Sequence, residues 1–171
     1  MRHNAALSGI RRQDKTVIRI LFICHGNICR STAAECVLKH MTSDMPDILI
    51  DSAATTNEEI GNPIYPPMKK ALNRAGIPVC PHRARKVTRK DYDFYDYLIC
   101  MDGENLEDLN WMFSDPEQKI SMLMDWAGKP GIEVPDPWYT RDFDGCLEQI
   151  VIACRGIYDT ITSSPQTGKT R

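Results

Sequence analysis

Hydrophobic residues follow two different periods in the first part of the chain. Residues 17–23 form a mostly apolar run rich in β-branched side chains, which predicts a buried strand. After Arg30, apolar residues recur at helical spacing as far as Met41, which predicts an amphipathic helix. A short apolar run at residues 48–50 predicts a second strand, and a loop rich in Gly, Pro and Asn follows at residues 52–67.

The same alternation continues to the end of the chain. The predicted helices are centred on residues 68–75, 106–112 and 143–161, and the predicted strands on residues 97–101 and 120–124, with a Gly/Pro loop at 127–138. Strands that alternate with helices predict an α/β domain in which a four-stranded parallel sheet is flanked by helices on both faces, in a Rossmann-like three-layer arrangement. Ligands of such sheets bind at the carboxyl ends of the strands.

Length and composition indicate a single domain with two tails. Of the 171 residues, 42% are hydrophobic and 26% are charged, which is typical of a globular domain with its own core. We expect residues 16–162 to form this domain, and the polar segments 1–15 and 163–171 to be flexible. The formal net charge of −2 gives no indication of nucleic acid binding. No apolar stretch is long enough to predict insertion into a membrane.

Seven cysteines are spread along the chain. Because seven is odd and several of them lie inside predicted helices or strands, a disulfide framework is not expected. The spacings also lack the two Cys-x-x-Cys pairs of a structural zinc site, so we expect no metal. Residues 1–15 lack the apolar core of a secretory signal. We therefore expect reduced thiols and a cytoplasmic location.

The loop between the first predicted strand and the first predicted helix carries the candidate chemistry. A strand, loop and helix in this order direct backbone N–H groups and a helix N-terminus at one point, which suits a dianion such as phosphate or sulfate. Cys24 is the candidate nucleophile, because a helix N-terminus and a nearby Arg favour the thiolate. The candidate phosphate-binding residues are His25, Gly26, Asn27, Ile28, Cys29 and Arg30.

Two residues decide how this loop is interpreted. Taken alone, Cys24 would more often be a buried structural cysteine. Arg30 changes that interpretation, because its planar fork can hold two phosphoryl oxygens at once, which Lys cannot do. Together with Gly26, Asn27 and Ser31 at this spacing, the pair favours a catalytic phosphate-binding loop.

The sequence from Cys24 to Ser31, Cys-His-Gly-Asn-Ile-Cys-Arg-Ser, resembles the signature of the low-molecular-weight protein tyrosine phosphatases. Four further stretches agree in order and spacing: Asp51-Ser52-Ala53-Ala54-Thr55, Gly61-Asn62-Pro63, Cys100-Met101-Asp102 and Asp136-Pro137-Trp138-Tyr139. The resemblance covers roughly residues 17–161. It implies the phosphotyrosine protein phosphatase I-like fold and hydrolysis of phosphotyrosine, with no cofactor and no metal.

The resemblance also implies a general acid at Asp136. Local sequence alone would favour an ordinary Asp-Pro turn there, but the family's general acid is the Asp of such an Asp-Pro-aromatic stretch. In the implied reaction the Cys24 thiolate attacks phosphorus while Arg30 and the loop amides bind the equatorial oxygens. Asp136 protonates the leaving oxygen and then activates the water that hydrolyses the phosphocysteine.

Several residues resemble positions that support the loop in this family. Asn27 is expected in a left-handed backbone conformation, which Asn tolerates better than most residues, with Ser52 and His82 as hydrogen-bond partners. Ser31 resembles the hydroxyl that stabilises the thiolate, and Asp102 resembles the acid that orients the arginine. For each of them a cap or a surface group is the alternative, and for His82 the two interpretations are equally supported.

Cys29 is the predicted redox partner of Cys24. In the family, a cysteine at this position forms a reversible disulfide with the nucleophile and protects it from further oxidation. The alternative is that Cys29 only packs beneath the loop.

Three residues are expected in the substrate cleft. Trp138 and Tyr139 are expected to form a wall that contacts an aromatic leaving group. Many family members have an aromatic residue where this chain has Glu58, which cannot stack on phenol in the same way and would repel acidic residues beside the phosphotyrosine. We therefore expect Glu58 to alter substrate preference. The stretch at residues 64–67, Ile-Tyr-Pro-Pro, also departs from the commoner Pro-x-Asp-x-Arg version.

Other functions share parts of this pattern. Thioredoxin-coupled arsenate reductases relay oxidation through two further cysteines, whereas this chain has no cysteine at residues 101–145. Protein-arginine phosphatases resemble the family with Thr at the position of Ile28, so Ile favours the tyrosine-directed branch. A non-catalytic phosphotyrosine-binding module would be indicated by loss of Cys24, Arg30 or Asp136, and all three are present. The expected partner is a phosphotyrosine-containing protein, for which a tyrosine kinase is one candidate.

Overall fold

The fold is built on one parallel sheet. The computed structural model describes residues 17–163, so the predicted tails lie outside the described residues, except for Ser163. The strands are β1 (Ile18–Cys24), β2 (Ile48–Ala54), β3 (Tyr97–Cys100) and β4 (Ile120–Met122). They form a sheet in the order β2-β1-β3-β4, and each neighbouring pair is parallel. This confirms the predicted four-stranded parallel sheet.

Helices follow the strands in sequence. They are α1 (Arg30–Met41), α2 (Pro66–Arg74), α3 (Arg89–Phe94), α4 (Gly103–Phe113), a 3₁₀ helix (Leu123–Ala127), α5 (Pro137–Thr140) and α6 (Phe143–Ser163). The four helices predicted from apolar spacing are all present. Across residues 17–163, none of the helices combines the length and the apolar character needed to cross a bilayer.

Helices cover both faces of the sheet, as predicted. Successive residues of β1 point to opposite faces because the side-chain period of a strand is two. Ile20 and Phe22 belong to the core formed with α1, α2, the 3₁₀ helix and α6. Leu21 and Ile23 belong to the core formed with α3 and α4. All four side chains are fully buried, so β1 is the centre of the domain.

Two short α-helices and the 3₁₀ helix were not evident in the sequence, and the 3₁₀ helix begins inside the strand predicted at residues 120–124. α3 has six residues and begins with a capping box, in which the backbone N–H of Thr88 donates to the Asp91 carboxylate at 2.7 Å. Arg85 adds two hydrogen bonds to the same carboxylate, at 2.9 and 3.1 Å. Caps and ion pairs of this kind stabilise a helix too short to show a hydrophobic period. α5, with four residues, follows Asp136 within the predicted Gly/Pro loop.

One prediction about the cysteines is wrong. Cys36 of α1 and Cys80, which lies in the extended segment after α2, form a disulfide with their Cα atoms 5.5 Å apart. An odd number of cysteines excludes a complete set of disulfides, but it does not exclude a single pair. The pairing depends on the approach of two segments separated by 44 residues, which spacing along the chain does not reveal. The other five cysteines are free thiols.

Gly156 allows α6 to lie directly against the 3₁₀ helix. A Cβ atom at this position would come within 1.9 Å of the carbonyl oxygen of Trp126. No other residue type could therefore occupy the position without moving one of the two helices. Glycine weakens a helix interior, so the close approach is the physical reason for its presence in α6.

Candidate active site

The candidate nucleophile lies at the carboxyl edge of the central strand. Cys24 is the last residue of β1 and is 3% exposed. The loop that follows turns directly into the N-terminus of α1 at Arg30. A single cleft at this edge is lined by Cys24, His25, Gly26, Ile28, Cys29, Arg30, Glu58, Glu59, Tyr65, Asp136, Trp138 and Tyr139. Nearly all the residues predicted to form the site therefore line one cleft or lie directly behind it.

A chain of hydroxyl and amide groups supports the Cys24 thiol. The Sγ of Cys24 and the Oγ of Ser31 lie 3.0 Å apart, within hydrogen-bond distance. The Nδ2 of Asn27 donates to Ser31 Oγ at 2.8 Å and to Ser52 Oγ at 2.9 Å. Asn27 and Ser31 are fully buried, so the hydrogen bonds behind the thiol are shielded from solvent.

Asn27 fixes the shape of the phosphate-binding loop. Its φ angle is +60°, the left-handed conformation predicted from the sequence. Its side-chain oxygen accepts a hydrogen bond from the backbone N–H of Arg85 at 3.1 Å. Its carbonyl oxygen accepts one from the Nε2 of His82 at 2.5 Å. Arg85 was not predicted, because a backbone N–H donor leaves no mark in the sequence.

His82 is held as a neutral donor. Burial lowers the pKa of His82, and this outweighs the opposite effects of the Asn27 carbonyl and the Glu35 carboxylate. A neutral ring that donates from Nε2 to a carbonyl carries its proton on that nitrogen. Of the two interpretations left open by the sequence, the contact to Asn27 favours a supporting role.

Glu35 extends the network away from the thiol. It is 5% exposed and accepts a hydrogen bond from Ser52 Oγ at 2.6 Å and another from Lys39 Nζ. Ser52 can therefore donate to Glu35 while it accepts from Asn27, which orients its hydroxyl. Glu35 was missed in the sequence because its position on α1 resembles that of an ordinary surface residue.

Arg30 is fixed below the cleft by three oxygen atoms. Its NH1 donates to Asp102 Oδ2 at 2.7 Å and to the Val134 carbonyl at 2.8 Å, and its NH2 lies 3.4 Å from Asp136 Oδ2. Burial alone would lower the pKa of Arg30, but Cys24, Asp102 and Asp136 outweigh it and raise the pKa. The guanidinium is therefore charged and already oriented before a ligand arrives.

Asp136 reaches the cleft from the loop before α5. Its Oδ1 caps this helix by accepting the N–H of Trp138 at 3.0 Å, which leaves Oδ2 directed at Arg30. The loop before Asp136 is joined to the residue that follows β3, because the Val134 N–H donates to the Met101 carbonyl at 2.9 Å. The carboxylate is 27% exposed, so it lies where solvent and a leaving group can both reach it.

Two further thiols lie close to the nucleophile. Burial raises the pKa of Cys29 well above its usual range, and the neighbouring Cys146, Cys24 and Asp136 add to the effect. Burial also raises the pKa of Cys146 to about 12. Both are therefore neutral thiols at neutral pH, which makes them weak nucleophiles. Cys146 was not recognised in the sequence because it lies in α6, more than 100 residues from the loop.

A histidine and two glutamates form one part of the cleft mouth. The Nε2 of His25 lies 2.9 Å from Glu58 Oε2, so Glu58 is joined to the loop residue that follows the nucleophile. The carbonyl oxygen of His25 accepts hydrogen bonds from both the N–H and the hydroxyl of Thr56, at 3.3 and 2.9 Å. Glu59 lies over Gly26, where a Cβ atom would be 3.3 Å from its Cγ. The segment around Glu58 is thus tied to the phosphate-binding loop.

Aromatic residues form another part of the cleft mouth. Trp138 and Tyr139 are 52% and 81% exposed, as expected for side chains that contact a ligand. Tyr65 also lines the cleft, with its ring centroid 5.2 Å from that of Trp138. Its position had no predicted role, although the stretch containing it was the departure noted at residues 64–67.

Comparisons with known proteins agree on one family. The profile described as low molecular weight phosphotyrosine protein phosphatase matches residues 19–167. The low molecular weight phosphotyrosine protein phosphatase of Pongo abelii is 37% identical over 154 residues, which cover 85% of this chain and 97% of that protein. The crystal structure of YfkJ from Bacillus subtilis superposes with a TM-score of 0.82 at 33% identity, covering 86% of this chain and 96% of that one.

Proposed function

Because this chain belongs to the low molecular weight phosphotyrosine protein phosphatase family and is an enzyme, we propose that it hydrolyses phosphotyrosine through a phosphocysteine intermediate on Cys24. One observation carries the proposal. A buried thiol, a fixed guanidinium at Arg30 and a partly exposed carboxylate at Asp136 line the same cleft at the N-terminus of a helix. These are the groups that a thiolate-based phosphoryl transfer requires.

In the first step, the Cys24 thiolate attacks phosphorus in line with the bond to the phenolic oxygen. The new S–P bond forms as the P–O bond breaks, and the electron pair goes to the leaving oxygen. Asp136 gives its proton to that oxygen. The loop amides and Arg30 bind the three equatorial oxygens, which carry the negative charge of the phosphoryl group during the transfer.

In the second step, Asp136 acts as a base. It takes a proton from a water molecule, whose oxygen attacks the phosphorus of the phosphocysteine. The P–S bond breaks, Cys24 leaves as a thiolate, and inorganic phosphate is released. Because no step needs an additional positive charge, the reaction proceeds without metal.

The surrounding residues hold these groups in place. Asn27, Ser31 and Ser52 connect the thiol to the loop, and the distances among them are all 2.8 to 3.0 Å. His82 supports the Asn27 carbonyl, and Asp102 holds the guanidinium from below. We assign them positioning roles, because none of them except Ser31 is in contact with the reacting sulfur.

We further propose that Cys29 protects the nucleophile from oxidation. Peroxide would convert the Cys24 thiolate to a sulfenic acid, and Cys29 would displace water from it to form a disulfide. The raised pKa of Cys29 makes this step slow at neutral pH. Recovery of activity by dithiothreitol after peroxide treatment tests this role, which would be refuted if Cys29→Ala recovered as fully as the wild type.

The partner in this proposal is a phosphotyrosine-containing protein, and a tyrosine kinase is one candidate. The proposal also places the enzyme in the cytoplasm, where a reducing environment keeps the nucleophile active and would leave the Cys36 and Cys80 thiols reduced. Cell fractionation with an antibody to the chain tests the location. Recovery in a membrane or secreted fraction would contradict it.

Hydrolysis of para-nitrophenyl phosphate in EDTA and dithiothreitol, at mildly acidic pH, tests the proposed function. We expect turnover by the wild type, none by Cys24→Ser, and a loss of about 10²- to 10⁴-fold in kcat for Asp136→Ala. Asp144→Ala is a matched control, since this exposed carboxylate pairs with Arg74 on the surface. Activity of Cys24→Ser, or activity that requires a divalent metal, would refute the mechanism.

Substrate choice is tested with three peptides of identical flanking sequence. They carry phosphotyrosine, phosphoserine or phosphoarginine. The proposal predicts preference for phosphotyrosine, and a preference for phosphoarginine would contradict it.

A further inference from the structure

Tyr65 is attached to the phosphate-binding loop through its backbone. Its N–H donates to the carbonyl oxygen of Ile28 at 2.8 Å, and Ile28 lies four residues after the nucleophile. Pro66 and Pro67 follow it at the start of α2. A residue before proline is restricted to an extended backbone conformation, and the φ and ψ of Tyr65 are −61° and 128°. The backbone of Tyr65 is therefore held at a fixed position relative to the phosphate-binding loop.

The Tyr65 ring is held between other aromatic rings. Its centroid lies 5.2 Å from that of Trp138 and 5.8 Å from that of Phe143, with tilted planes in both cases. These distances are in the range where aromatic pairs attract each other. Phe143 is buried at the start of α6, so its contact with Tyr65 anchors the Tyr65 ring to the core. Trp138 lies beside the Tyr65 ring in the cleft.

Arg141 holds the hydroxyl end of the same ring. Its guanidinium lies 5.9 Å from the Tyr65 centroid, and its NH1 donates to the Tyr65 hydroxyl at 3.4 Å. The hydroxyl is therefore turned toward Arg141 on the surface rather than toward the phosphate site. It is the face or edge of the ring, not its polar atom, that Tyr65 offers to a ligand in the cleft.

Two glutamates and a histidine also line the cleft. Glu58 and His25 contact each other, and Glu59 lies over the loop at Gly26. Carboxylates do not offer an aromatic ring the apolar surface that a stacked aromatic side chain would. Among the cleft-lining residues, aromatic surface is thus concentrated at Tyr65, Trp138 and Tyr139.

We propose that Tyr65 is a specificity-determining residue, whose ring packs with Trp138 against the aryl group of the phosphorylated side chain. The inference rests on the proposed function for the identity of the substrate, but it concerns binding of the ring and not the chemical step. Because Tyr65 is fixed relative to Ile28, its ring lies at a fixed distance from the bound phosphoryl group. The site therefore favours substrates that carry an aryl group at that distance. Alkyl phosphates would reach the same anion site without filling this part of the cleft.

Calorimetric binding of phenylphosphonate and methylphosphonate separates the ring from the anion. Both ligands present the same phosphonate, and neither is hydrolysed. We expect the wild type to prefer phenylphosphonate, and Tyr65→Leu to lose roughly three- to tenfold of this preference. Tyr65→Phe should retain it, because the ring remains and only the bond to Arg141 is lost. Tyr65→Met, with a flexible side chain of similar length, serves if the Leu variant does not fold.

Three outcomes would overturn the inference. An unchanged preference in Tyr65→Leu and Tyr65→Met would show that the ring does not contact the ligand. An equal loss of affinity for both phosphonates would show that Tyr65 only supports the loop. Loss in Tyr65→Phe as large as that in Tyr65→Leu would assign the effect to the hydroxyl. Because binding is measured without turnover, failure of the proposed function would be seen separately, as a wild type that binds phosphonates but does not hydrolyse para-nitrophenyl phosphate.

Discussion

The carboxylate of Glu133 accepts a hydrogen bond from the backbone N–H of Gly103 at 2.6 Å. Gly103 is the first residue of α4, directly after Asp102, whereas Glu133 lies three residues before Asp136. The contact therefore joins the loop that carries the proposed general acid to the helix that carries the partner of Arg30. The Arg30 NH1 also donates to the Val134 carbonyl at 2.8 Å. These two hydrogen bonds hold the loop that carries Asp136 at a fixed distance from Arg30 and Asp102.

Replacement of Glu133 by Ala should weaken general acid catalysis. Loss of one capping bond costs about 1 kcal/mol, which would be roughly a fivefold loss in kcat if it all fell on the position of Asp136. The loss should be larger for phenyl phosphate, whose leaving group needs a proton, than for dinitrophenyl phosphate, whose leaving group does not. Steady-state kinetics over a series of substituted phenyl phosphates measures this dependence.

Two control variants make the Glu133 test specific. Glu133→Gln can still accept the bond and should behave as the wild type. Glu104→Ala removes another acid from the first turn of α4 without touching the loop, and it should leave the dependence on the leaving group unchanged. Equal losses across the whole series in Glu133→Ala would mean that the contact only stabilises the fold.

His82 should make the protein less stable in acid. Because burial lowers its pKa, the folded protein binds this proton less readily than the unfolded chain does. Its stabilising effect is complete above the usual pKa of about 6.5 and is lost as the pH falls below that value. Urea unfolding between about pH 8 and pH 5 should show a fall in the free energy of unfolding that is smaller in His82→Gln.

His40→Gln is the control for the His82 prediction, since His40 is exposed near the end of α1. This variant should keep the pH dependence of the wild type. If His82→Gln and the wild type lose stability in parallel below pH 6.5, His82 is not the group that is titrating.

The Cys36–Cys80 disulfide should contribute to stability. Closing a loop of 44 residues restricts the unfolded chain, and such a crosslink is typically worth about 2–4 kcal/mol. Tris(2-carboxyethyl)phosphine should lower the free energy of unfolding of the wild type by this amount. It should have no effect on the Cys36→Ser, Cys80→Ser double variant.

Alkylation in denaturant tests the same disulfide directly. Without reductant, mass spectrometry should find two fewer modified cysteines than with reductant, and a crosslinked peptide pair containing Cys36 and Cys80. Complete alkylation of all seven cysteines without reductant would show that the pair is reduced.

Local sequence determines the phosphate-binding loop and its flanking elements. The predicted strand at residues 17–23 and the observed β1 differ by one residue at each end, and the predicted helix bounds at Arg30 and Met41 agree with α1. The pattern was clear because a mostly apolar run meets a helical repeat across a loop of only five residues. The left-handed backbone of Asn27 was predicted from the family resemblance and from the tolerance of Asn for that conformation.

Contacts between distant segments could not be predicted in this way. Cys36 meets Cys80 because the segment after α2 lies along α1, and Tyr65 meets Trp138 because α5 lies beside the start of α2. In each pair the sequence around either residue does not reveal the contact, since the contact is created by the packing of two elements. The departure at residues 64–67 marked the right stretch, but its meaning depended on a ring more than 70 residues away.

The phosphocysteine on Cys24 is the intermediate on which both steps of the proposed reaction depend. The most direct test is rapid mixing of Asp136→Ala with para-nitrophenyl phosphate, followed by denaturation and mass spectrometry of the peptide that contains Cys24. Because the leaving group needs little help and the second step needs a base, we expect a burst of para-nitrophenol equal to the enzyme concentration and a phosphate on Cys24. Cys24→Ser should show neither. Turnover without a burst and without phosphate on Cys24 would contradict the proposed mechanism.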